Sequence, residues 1–368
     1  MPPLSLLIKP ASGSCDLRCQ YCFYADEMKH RNIPNYGVMS VETLEILVRR
    51  SLEEAEGMVT FGFQGGEPTL AGLEFYETFC RLVRTCNPKK LPIQIAIQTN
   101  GMRIDRQWAE FLARERFLVG LSLDGPRSVH DRCRVDVRGE GTFKRVLEAA
   151  GLLEQAGAEF NILTVLTEQG AREIGRIYNF LVSRGYLYQQ YIPCLAPLDG
   201  GGDGYALRAE TYGQALKELF DLWFADYRRG VKVYNRYFEN LVGILAGYQP
   251  ESCDMRGRCS LQYVVEADGS VYPCDFYVLD QYRMGSVVDH SFAQLASSPA
   301  AVRFLEESRA QPKQCDSCRW RSLCRGGCRR NRPWENGELG LNQFCEAYQT
   351  FYAYAGERLM SLAQSVRR

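Results

Sequence analysis

The chain has 368 residues, enough for one large domain and a smaller one with a sizeable buried core. Lys and Arg together number 44, as do Asp and Glu, so the overall charge gives no reason to expect nucleic acid or an anionic membrane as a partner. No stretch approaches the ~18 apolar residues of a membrane span, and residues 1–9 contain no secretory leader. We therefore expect a soluble, cytoplasmic protein.

Cysteine is the unusual component of the composition. The chain has 15 cysteines, and a disulfide framework explains them poorly because the cytosol keeps thiols reduced. Most of them cluster within residues 15–22 and 253–345, and closely spaced thiolates are typical ligands of soft metals. The chain has only 3 histidines, which favours iron–sulfur clusters over mixed Cys/His zinc sites.

The first half of the chain alternates between strand-like and helix-like patterns. Amphipathic stretches separate the strands; Ser40, Asp105 and Thr142 are predicted to open helices, and Gly157 to end one. Strand–helix units in series predict a parallel sheet, and six of them are too few for a closed barrel, so the expected α/β fold is a partial (β/α)6 barrel. The predicted strands are Leu4–Lys9, Val59–Phe63, Ile93–Gln98, Phe117–Leu123, Phe160–Leu166 and Leu187–Ile192.

The pattern changes in the second half. A Gly-rich loop at Ala196–Gly204 precedes two predicted helices, and short cysteine-bounded segments begin after Pro250. We therefore predict a barrel domain with connecting helices at residues 1–249 and a cysteine-rich domain at residues 250–368. The predicted elements of this half are the helices Ala209–Arg229 and Asn235–Gly247, a hairpin of Tyr263–Glu266 and Ser270–Tyr272, and a capping helix at Cys345–Val366.

The first motif that indicates chemistry is Cys15-x3-Cys19-x2-Cys22. Three thiolates can hold only three irons of a four-iron cluster, which leaves the fourth iron open to a substrate or cofactor. The motif follows the first strand, so it is expected at the carboxyl end of the sheet, where barrel enzymes have their active sites. A zinc-binding turn is the alternative interpretation.

Polar residues also follow the second and fourth strands. In Gln64–Pro68 (QGGEP) the glycines permit close backbone approach, and the Glu67 carboxylate suits an ammonium group, although a plain turn has the same composition. Ser122 and Asp124 end the fourth strand, where they could bind a ribose or cap the strand.

The second constellation contains eight cysteines. Two complete sets of four thiolates leave no open iron, which favours electron carriers or structural metal over a substrate-binding cluster. Two zinc ribbons are the alternative. The cysteines are Cys253, Cys259, Cys274, Cys315, Cys318, Cys324, Cys328 and Cys345.

The three-cysteine spacing resembles the radical SAM (S-adenosylmethionine) superfamily. Three segments narrow the resemblance to anaerobic sulfatase-maturating enzymes: PLSLLIKPASGSCDLRCQYCFY, GFQGGEPTLAGLEF and VVEADGSVYPCDFYVLD. The resemblance covers essentially the whole chain and implies SAM and three [4Fe–4S] clusters as cofactors. It also implies a SAM pocket formed by Tyr21, Gly66, Glu67, Ser122, Arg134 and the backbone of Leu195.

The C-terminal cysteine pattern resembles the SPASM domain, which binds two auxiliary clusters. The resemblance implies interleaved ligands: Cys253, Cys259, Cys274 and Cys328 for one cluster, and Cys315, Cys318, Cys324 and Cys345 for the other. The spacing alone does not establish this pairing. The family's catalytic aspartate stands at the position of Asp275, and a carboxylate base also fits a chain with so few histidines.

The implied reaction is oxidation of a Cys or Ser to Cα-formylglycine in an unfolded or nascent sulfatase, within a C/S-x-P-x-R segment. A 5′-deoxyadenosyl radical would remove a Cβ hydrogen, and an electron donor such as flavodoxin or ferredoxin would supply the first electron. The loops at residues 199–204 and 329–340 could contact the peptide. Two alternatives are a SPASM-type maturase that forms thioethers, cross-links or epimers in a ribosomal peptide, and a non-catalytic zinc–cysteine scaffold.

Overall fold

A computed structural model of the chain describes residues 3–200, 204–335 and 338–366. Parts of the two loops predicted to contact a peptide, residues 201–203 and 336–337, lie outside these ranges. The described strands, in chain order, are β1 (Leu4–Ile8), β2 (Val59–Phe63), β3 (Ile93–Thr99), β4 (Leu118–Ser122), β5 (Phe160–Leu166), β6 (Tyr188–Pro193), β7 (Tyr234–Asn235), β8 (Val264–Val265), β9 (Ser270–Tyr272), β10 (Gly285–Ser286), β11 (Trp334–Glu335) and β12 (Glu338–Leu339).

Helices separate the strands of the first half and dominate the C-terminal part. They are α1 (Phe23–Lys29), α2 (Val41–Glu54), α3 (Leu73–Thr85), α4 (Arg106–Arg114), α5 (Arg127–Cys133), α6 (Phe143–Ala156), α7 (Glu168–Arg172), α8 (Ile174–Ser183), α9 (Ala209–Arg228), α10 (Arg236–Ala246), α11 (Phe292–Ala296), α12 (Pro299–Glu307), α13 (Arg321–Cys324) and α14 (Cys345–Val366). Among the described residues, no helix is both long enough and apolar enough to cross a membrane.

Helix ends follow the predicted capping chemistry in most cases. The side chains of Ser40 and Asp105 accept hydrogen bonds from the third residue of α2 and of α4, as N-caps should. Gly157 ends α6 in the left-handed conformation, at φ 70°. Thr142 occupies the N-cap position of α6, as predicted, but its side chain makes no capping hydrogen bond; its hydroxyl donates to the carbonyl of Arg134 at 3.0 Å.

The first of two compact units comprises Met1–Leu123, Asp131–Asn161 and Leu261–Phe304. Its strands β1 to β4 lie side by side in sequence order and are parallel. The other edge of β1 pairs in parallel with β8, and the antiparallel strands β9 and β10 follow. The hairpin of the cysteine-rich half therefore extends the sheet that carries the N-terminal cysteines.

Aromatic packing holds α3 against this sheet. Phe63 of β2 makes edge-to-face contacts with Tyr76 and Phe79, with ring centroids 5.0 and 4.8 Å apart. All three side chains are fully buried. Burial of one such ring stabilises the fold by about 1.5–3 kcal/mol, so the cluster fixes the strand end that leads into Gln64–Pro68.

The second unit comprises Asp124–His130, Ile162–Ser260 and Leu305–Arg368. It contains the parallel strands β5, β6 and β7, and α9 and α10 pack against α14. Phe220, Phe238 and Phe351 form the buried centre of these helices. Gly213 lies so close to Ala347 that an added Cβ would stand 3.2 Å from the Ala347 Cα, so α9 and α14 make a close contact.

The α/β fold and its strand–helix alternation are confirmed, and the structure has a strand at each of the six predicted positions. The predicted hairpin is also present, and α14 has the predicted bounds. The compact units do not follow the domain boundary predicted near residue 250, because Leu261–Phe304 packs with the N-terminal strands. That boundary remains a prediction about the sequence domains.

Candidate active site and cysteine centres

Cys15, Cys19 and Cys22 lie on a loop between β1 and α1. The N–H of Cys22 donates to the carbonyl of Cys19 at 3.2 Å, and Cys22 is the residue directly before α1. The N–H of Arg18 donates to the carbonyl of Val135 at 2.8 Å, which ties the loop to the chain after α5. The three thiols therefore lie at the carboxyl end of β1, as predicted.

The environment of Cys15 is polar but mostly shielded from solvent. Its sulfur accepts a hydrogen bond from the N–H of Leu17 at 3.3 Å and lies 3.7 Å from the amide nitrogen of Asn100. Burial, with a smaller contribution from the charge of Glu67, raises the pKa of the Cys15 thiol to about 12. A metal ion deprotonates a coordinated thiol outright, so a bound metal is what would make this group a thiolate at neutral pH.

The QGGEP segment lies against the cysteine loop. Gly65 has φ 110°, a conformation that residues with a Cβ rarely adopt. A Cβ on Gly66 would overlap the carbonyl oxygen of Ser14, and the N–H of Gly66 donates to the carbonyl of Ser12 at 2.9 Å. The close backbone approach predicted from the glycines is therefore present, and Gly66 is required for it.

Glu67 is 1% exposed and joins the ends of two strands. Its Oε1 accepts hydrogen bonds from the N–H and hydroxyl of Thr69 and from the hydroxyl of Thr99, at 3.0, 2.6 and 2.8 Å. Its Oε2 accepts from the N–H of Asn100 at 2.8 Å. Burial raises the pKa of Glu67, and these hydrogen bonds oppose that shift. The carboxylate thus has a structural role that the sequence did not reveal.

The other residues of the expected SAM pocket lie at strand ends or beside the cysteine loop. The Arg134 guanidinium lies 5.5 Å from the centroid of the Tyr21 ring, and Arg134 is buried. Ser122 is the buried last residue of β4 in the same unit. Leu195 follows β6 and belongs to the second unit.

Asp275 lies in a short 3-10 turn directly after Cys274 and is 6% exposed. Its Oδ2 accepts hydrogen bonds from the hydroxyl of Tyr24 at 2.7 Å and from the side-chain amide of Gln64 at 3.0 Å. Its Oδ1 is buried and has no hydrogen-bond partner among the described residues. Burial raises the pKa of Asp275 to about 6, while the charge of Lys9 opposes the shift. One carboxylate oxygen is held in place, and the other is buried without a hydrogen-bond partner among the described residues.

Charged residues surround Asp275 inside the first unit, and the sequence analysis did not identify them. The ammonium of Lys9 lies 2.9 Å from Glu266 and 4.9 Å from the centroid of the Tyr24 ring. Arg31 also pairs with Glu266, at 2.5 Å, and all three charged side chains are almost fully buried. The two cations share the Glu266 carboxylate, and these buried contacts join the residue after β1 and the segment after α1 to the hairpin.

Glu27 of α1 is a second missed residue. Its Oε1 accepts a hydrogen bond from the N–H of Val278 at 3.3 Å, and its buried Oε2 has no partner among the described residues. Burial raises the pKa of Glu27 to about 8; the charge of Lys9 lowers it and that of Asp275 raises it further. Helix α1, which starts after Cys22, therefore contacts the turn of Asp275 through both Tyr24 and Glu27.

In the second unit, Cys253, Cys259 and Cys328 form one group. Burial raises the pKa of the Cys328 thiol, and the charges of Asp254, Cys253 and Cys259 add to the increase. The N–H of Cys259 donates to the hydroxyl of Ser308 at 3.2 Å. Cys274, which the resemblance assigns to the same set, lies in the first unit at the end of the hairpin.

Cys315, Cys318, Cys324 and Cys345 line one cavity of about 400 Å³ in the second unit. Burial raises the pKa of Cys324 to about 11, with added contributions from the other three thiols. Cys345 is the first residue of α14, so a helix that also packs on α9 supplies the last member. The structure thus groups the same four cysteines that the resemblance assigned to one cluster.

The donor sets can be tested against the expected clusters. Within the described residues, no group of three or more His, Cys, Asp or Glu side chains converges on a single metal-ion position. Thiolates that bind a four-iron cluster are attached to different irons, so they need not converge in this way. Grouped thiolates without histidine are the soft donors that iron–sulfur clusters use, and the residues present fit these cofactors.

Comparisons with known proteins agree with this geometry. Residues 10–181 match the family model of the radical SAM superfamily, and residues 253–319 match that of SPASM, an iron–sulfur cluster-binding domain. The chain is 45% identical to the cysteine-type anaerobic sulfatase-maturating enzyme of Clostridium perfringens over 370 residues, which cover 100% of both chains. It is 29% identical to the serine-type enzyme of Klebsiella aerogenes, over 95% of this chain and 85% of that one.

A solved structure of the same family also matches the fold of this chain. The structure described as native anSMEcpe with bound AdoMet and Cp18Cys peptide superposes with a TM-score of 0.95 at 45% identity. The superposition covers 99% of this chain and 100% of that one. The expected radical SAM partial barrel with a SPASM domain is therefore confirmed. The chain belongs to the anaerobic sulfatase-maturating enzymes of the radical SAM superfamily.

Proposed function

We propose that this enzyme oxidises a cysteine in an unfolded or nascent sulfatase, within a C-x-P-x-R segment, to Cα-formylglycine. The choice of cysteine over serine is supported by 45% identity to a cysteine-type relative against 29% to a serine-type one. The observation that carries the proposal is the Asp275 carboxyl group: Tyr24 and Gln64 hold one oxygen, and the other is buried without a partner.

Three [4Fe–4S] clusters and SAM are the proposed cofactors. Cys15, Cys19 and Cys22 hold the cluster that binds SAM. Of the two auxiliary clusters, one is held by Cys253, Cys259, Cys274 and Cys328, and the other by Cys315, Cys318, Cys324 and Cys345. The shared cavity of the last four cysteines supports this pairing. The pairing of Cys253, Cys259 and Cys328 is supported because Cys253 and Cys259 both add to the rise in the pKa of Cys328.

The SAM pocket is proposed to lie beside the cysteine loop. When bound, the first cluster and SAM supply a 5′-deoxyadenosyl radical that removes a Cβ hydrogen from the target cysteine. The backbone at Gly66 and the carboxylate of Glu67 orient the methionine amino group, because their positions are held rigidly by the contacts described above. Ser122, Arg134 and the Leu195 backbone complete the pocket, and Tyr21 lies against the adenine.

Asp275 is proposed as the general base. Loss of the Cβ hydrogen, the thiol proton and one further electron converts the cysteine side chain to a thioaldehyde, and Oδ1 of Asp275 would accept the proton. Water then replaces the sulfur, which leaves as hydrogen sulfide, and the aldehyde results. The hydrogen bonds from Tyr24 and Gln64 to Oδ2 turn the carboxyl so that Oδ1 remains available. When they hold clusters, the auxiliary cysteine centres would supply the acceptor for the second substrate electron.

An electron donor such as flavodoxin or ferredoxin is the proposed redox partner, and the cytoplasm is the proposed compartment. All fifteen cysteines lie in described parts of the chain, and none of them forms a disulfide there. A reducing compartment keeps thiols in that state, and it is also where a nascent sulfatase would be found.

The test of this proposal is Asp275→Asn, because the amide is nearly isosteric but cannot accept the proton. Formylglycine formation on a C-x-P-x-R peptide, measured by mass spectrometry, should fall by the ~10²–10⁴-fold typical of losing a positioned base. SAM cleavage without peptide, measured as 5′-deoxyadenosine, should fall much less. Asp289→Asn, an exposed aspartate of the same unit, is the matched control and should behave like the wild type.

Three results would overturn the proposal. Near-normal aldehyde yield in a cluster-replete Asp275→Asn enzyme would exclude Asp275 as the base. A wild-type enzyme that cleaves SAM but forms only a thioether, cross-link or epimer would favour the peptide-maturase alternative. Zinc in place of iron and sulfide in an anaerobic preparation would favour the scaffold alternative.

A further inference from the structure

The charged residues that line the cavity around Cys315, Cys318, Cys324 and Cys345 are all basic. Five arginines line it, and none of its lining residues is Asp or Glu within the described parts of the chain. The whole chain has equal numbers of basic and acidic residues, so this concentration is local and does not reflect a basic protein. We call these residues the arginine collar: Arg256, Arg258, Arg309, Arg321 and Arg325.

Three members of the arginine collar have partners within the protein. The Arg325 side chain donates to the carbonyls of Ser322 and Met255, at 3.1 and 3.4 Å. Arg256 donates to the carbonyl of Pro250 at 3.1 Å, and Arg321 pairs with Asp316 at 2.5 Å. The bonds of Arg325 and Arg256 to carbonyls leave the positive charge of each guanidinium uncompensated, whereas the carboxylate of Asp316 offsets that of Arg321.

The remaining two members, Arg258 and Arg309, are exposed. Their side chains make no hydrogen bond or ion pair with any described residue, so they have no evident role in holding the fold. An arginine that only balanced the charge of a buried centre would act most strongly from a buried position, since water and salt screen exposed charges. Their exposure fits a partner that arrives from solution.

The four cysteines in this cavity are themselves only partly buried, and Cys345 accepts a hydrogen bond from the exposed Gln349 side chain at 3.2 Å. A redox centre held there would lie near the protein surface, within the same cavity as the arginines. An acidic protein surface is complementary to five arginines, and complementary charge accelerates and orients the encounter of two proteins.

We propose that the arginine collar is the docking surface for an acidic one-electron carrier protein of the flavodoxin or ferredoxin class. The proposal rests on the proposed function, in that Cys315, Cys318, Cys324 and Cys345 must hold an iron–sulfur cluster. In the docked complex the reduced carrier loses one electron and the oxidised cluster gains it. The cluster then passes this electron on for SAM cleavage, so it is again oxidised when the second substrate electron arrives. No covalent bond forms or breaks.

The test is a double charge reversal, Arg258→Glu with Arg309→Glu, in the anaerobically reconstituted holoenzyme. The matched control reverses two exposed arginines of the first unit, Arg81→Glu with Arg106→Glu. Binding of a purified bacterial flavodoxin is titrated calorimetrically at low and high salt. We expect the collar variant to bind at least about tenfold more weakly at low salt, with a weaker salt dependence, and the control to bind like the wild type.

Three further measurements distinguish a docking role of the arginine collar from a loss of the cluster or of activity. Iron content and formylglycine formation driven by dithionite, a small reductant that needs no docking surface, should be unchanged in the collar variant. The milder pair Arg258→Gln with Arg309→Gln should give an intermediate loss of affinity. If the wild type forms no formylglycine with dithionite, the proposed function fails, while the flavodoxin titration still tests docking.

Equal flavodoxin affinity in the wild type, the collar variant and the control would overturn the proposal. A collar variant that binds flavodoxin normally but changes the reduction potential of a cluster would also overturn it, because the arginines would then act on the cluster. Collar-dependent binding of a short DNA duplex with none of flavodoxin would assign the surface to nucleic acid instead.

Discussion

The N-terminal cysteine loop and the cysteine cavity of the second unit both present cysteine thiols, but the surroundings of the thiols differ. The loop presents three cysteines within eight residues, and the backbone at Gly66 approaches it too closely for any Cβ. The cavity gathers four cysteines from a 31-residue stretch and is lined by five arginines. The first arrangement leaves space and polar backbone for a small cofactor; the second completes the thiolate set and surrounds it with positive charge.

The difference shows that the number of cysteines alone does not define a centre's role. A missing fourth thiolate matters because an open iron can bind a ligand, and the neighbouring backbone must then be able to approach that ligand. A cluster held by four thiolates has no open iron, so the residues around it determine with which partner it exchanges electrons. In this chain those surroundings are the arginine collar.

The largest effect should come from removing the open set. Changing Cys15, Cys19 and Cys22 together to Ala should remove about four of about twelve irons per reconstituted chain, the content of one [4Fe–4S] cluster, and abolish SAM cleavage. Iron analysis and chromatography of 5′-deoxyadenosine measure the two effects. Cys86→Ala, outside both cysteine-rich segments, is the control. Production of 5′-deoxyadenosine by the triple variant would show that the open centre is elsewhere.

Cys274→Ala should distinguish the role of an auxiliary centre from that of the N-terminal cysteine loop. The second substrate electron needs an acceptor, so formylglycine formation should fall more than SAM cleavage without peptide. Both rates are measured on the same anaerobic preparation. Loss of a metal ligand also destabilises a cysteine-bounded segment, so the thermal midpoint is recorded as well. An equal fall of both rates in a protein with an unchanged midpoint would indicate a structural role for this cysteine.

A substitution at Gly66 tests the close backbone approach that distinguishes the N-terminal cysteine loop from the cysteine cavity. Gly66→Ala would push a methyl group into the carbonyl of Ser14, and overpacking of this kind costs about 1–3 kcal/mol. Urea unfolding measures the loss of stability, and SAM affinity should fall with it. Gly151→Ala is the control, since no atom lies within 4 Å of the added Cβ and alanine suits a helix. If Gly66→Ala and the wild type had equal free energies of unfolding, the close approach of Gly66 to Ser14 would be contradicted.

A pH-dependent effect is expected at Glu27, whose pKa burial raises to about 8 in the folded protein from an ordinary value of 4.5. A carboxyl with a raised pKa stabilises the protonated folded state, and that stabilisation is lost as pH rises from 4.5 through about 8. The wild type should therefore lose stability relative to Glu27→Gln over this window, by up to about 1.4 kcal/mol per pH unit.

Thermal midpoints of both proteins at several pH values measure this relative loss. Glu42→Gln, an exposed carboxyl on α2, is the control and should follow the wild type at every pH. A constant difference between the wild type and Glu27→Gln across the window would show that Glu27 does not titrate there.

The hydrophobic pattern predicted the positions of the six strands β1 to β6. Each strand buries alternate or successive apolar residues, and helical patterns separate the strands. The sequence also predicted the hairpin, because the Ala267-Asp268-Gly269 turn is a local signal. The short strand β7 and the parallel pairing of β8 with β1 could not be predicted. Two-residue strands carry no periodicity, and the pairing joins Leu7 to Val264, far apart in sequence.

The site was predictable to a similar extent. Cys15, Cys19, Cys22 and the glycines of QGGEP follow a local pattern, whereas the partners of Asp275 lie on other elements. Tyr24 is 251 residues away from Asp275 along the chain, and Gln64 is 211 residues away. The ion pair of Lys9 with Glu266 is equally remote in sequence, so no spacing rule could have indicated it.

By itself, then, the sequence determined the strand–helix order, the three-cysteine motif and the eight further cysteines, because propensity and ligand spacing act over a few residues. Only the tertiary structure decided which oxygen of Asp275 remains available, that Glu67 joins two strand ends, and that five arginines line one cysteine cavity. These features arise when distant segments are packed together, and burial then gives each group its partners and its pKa.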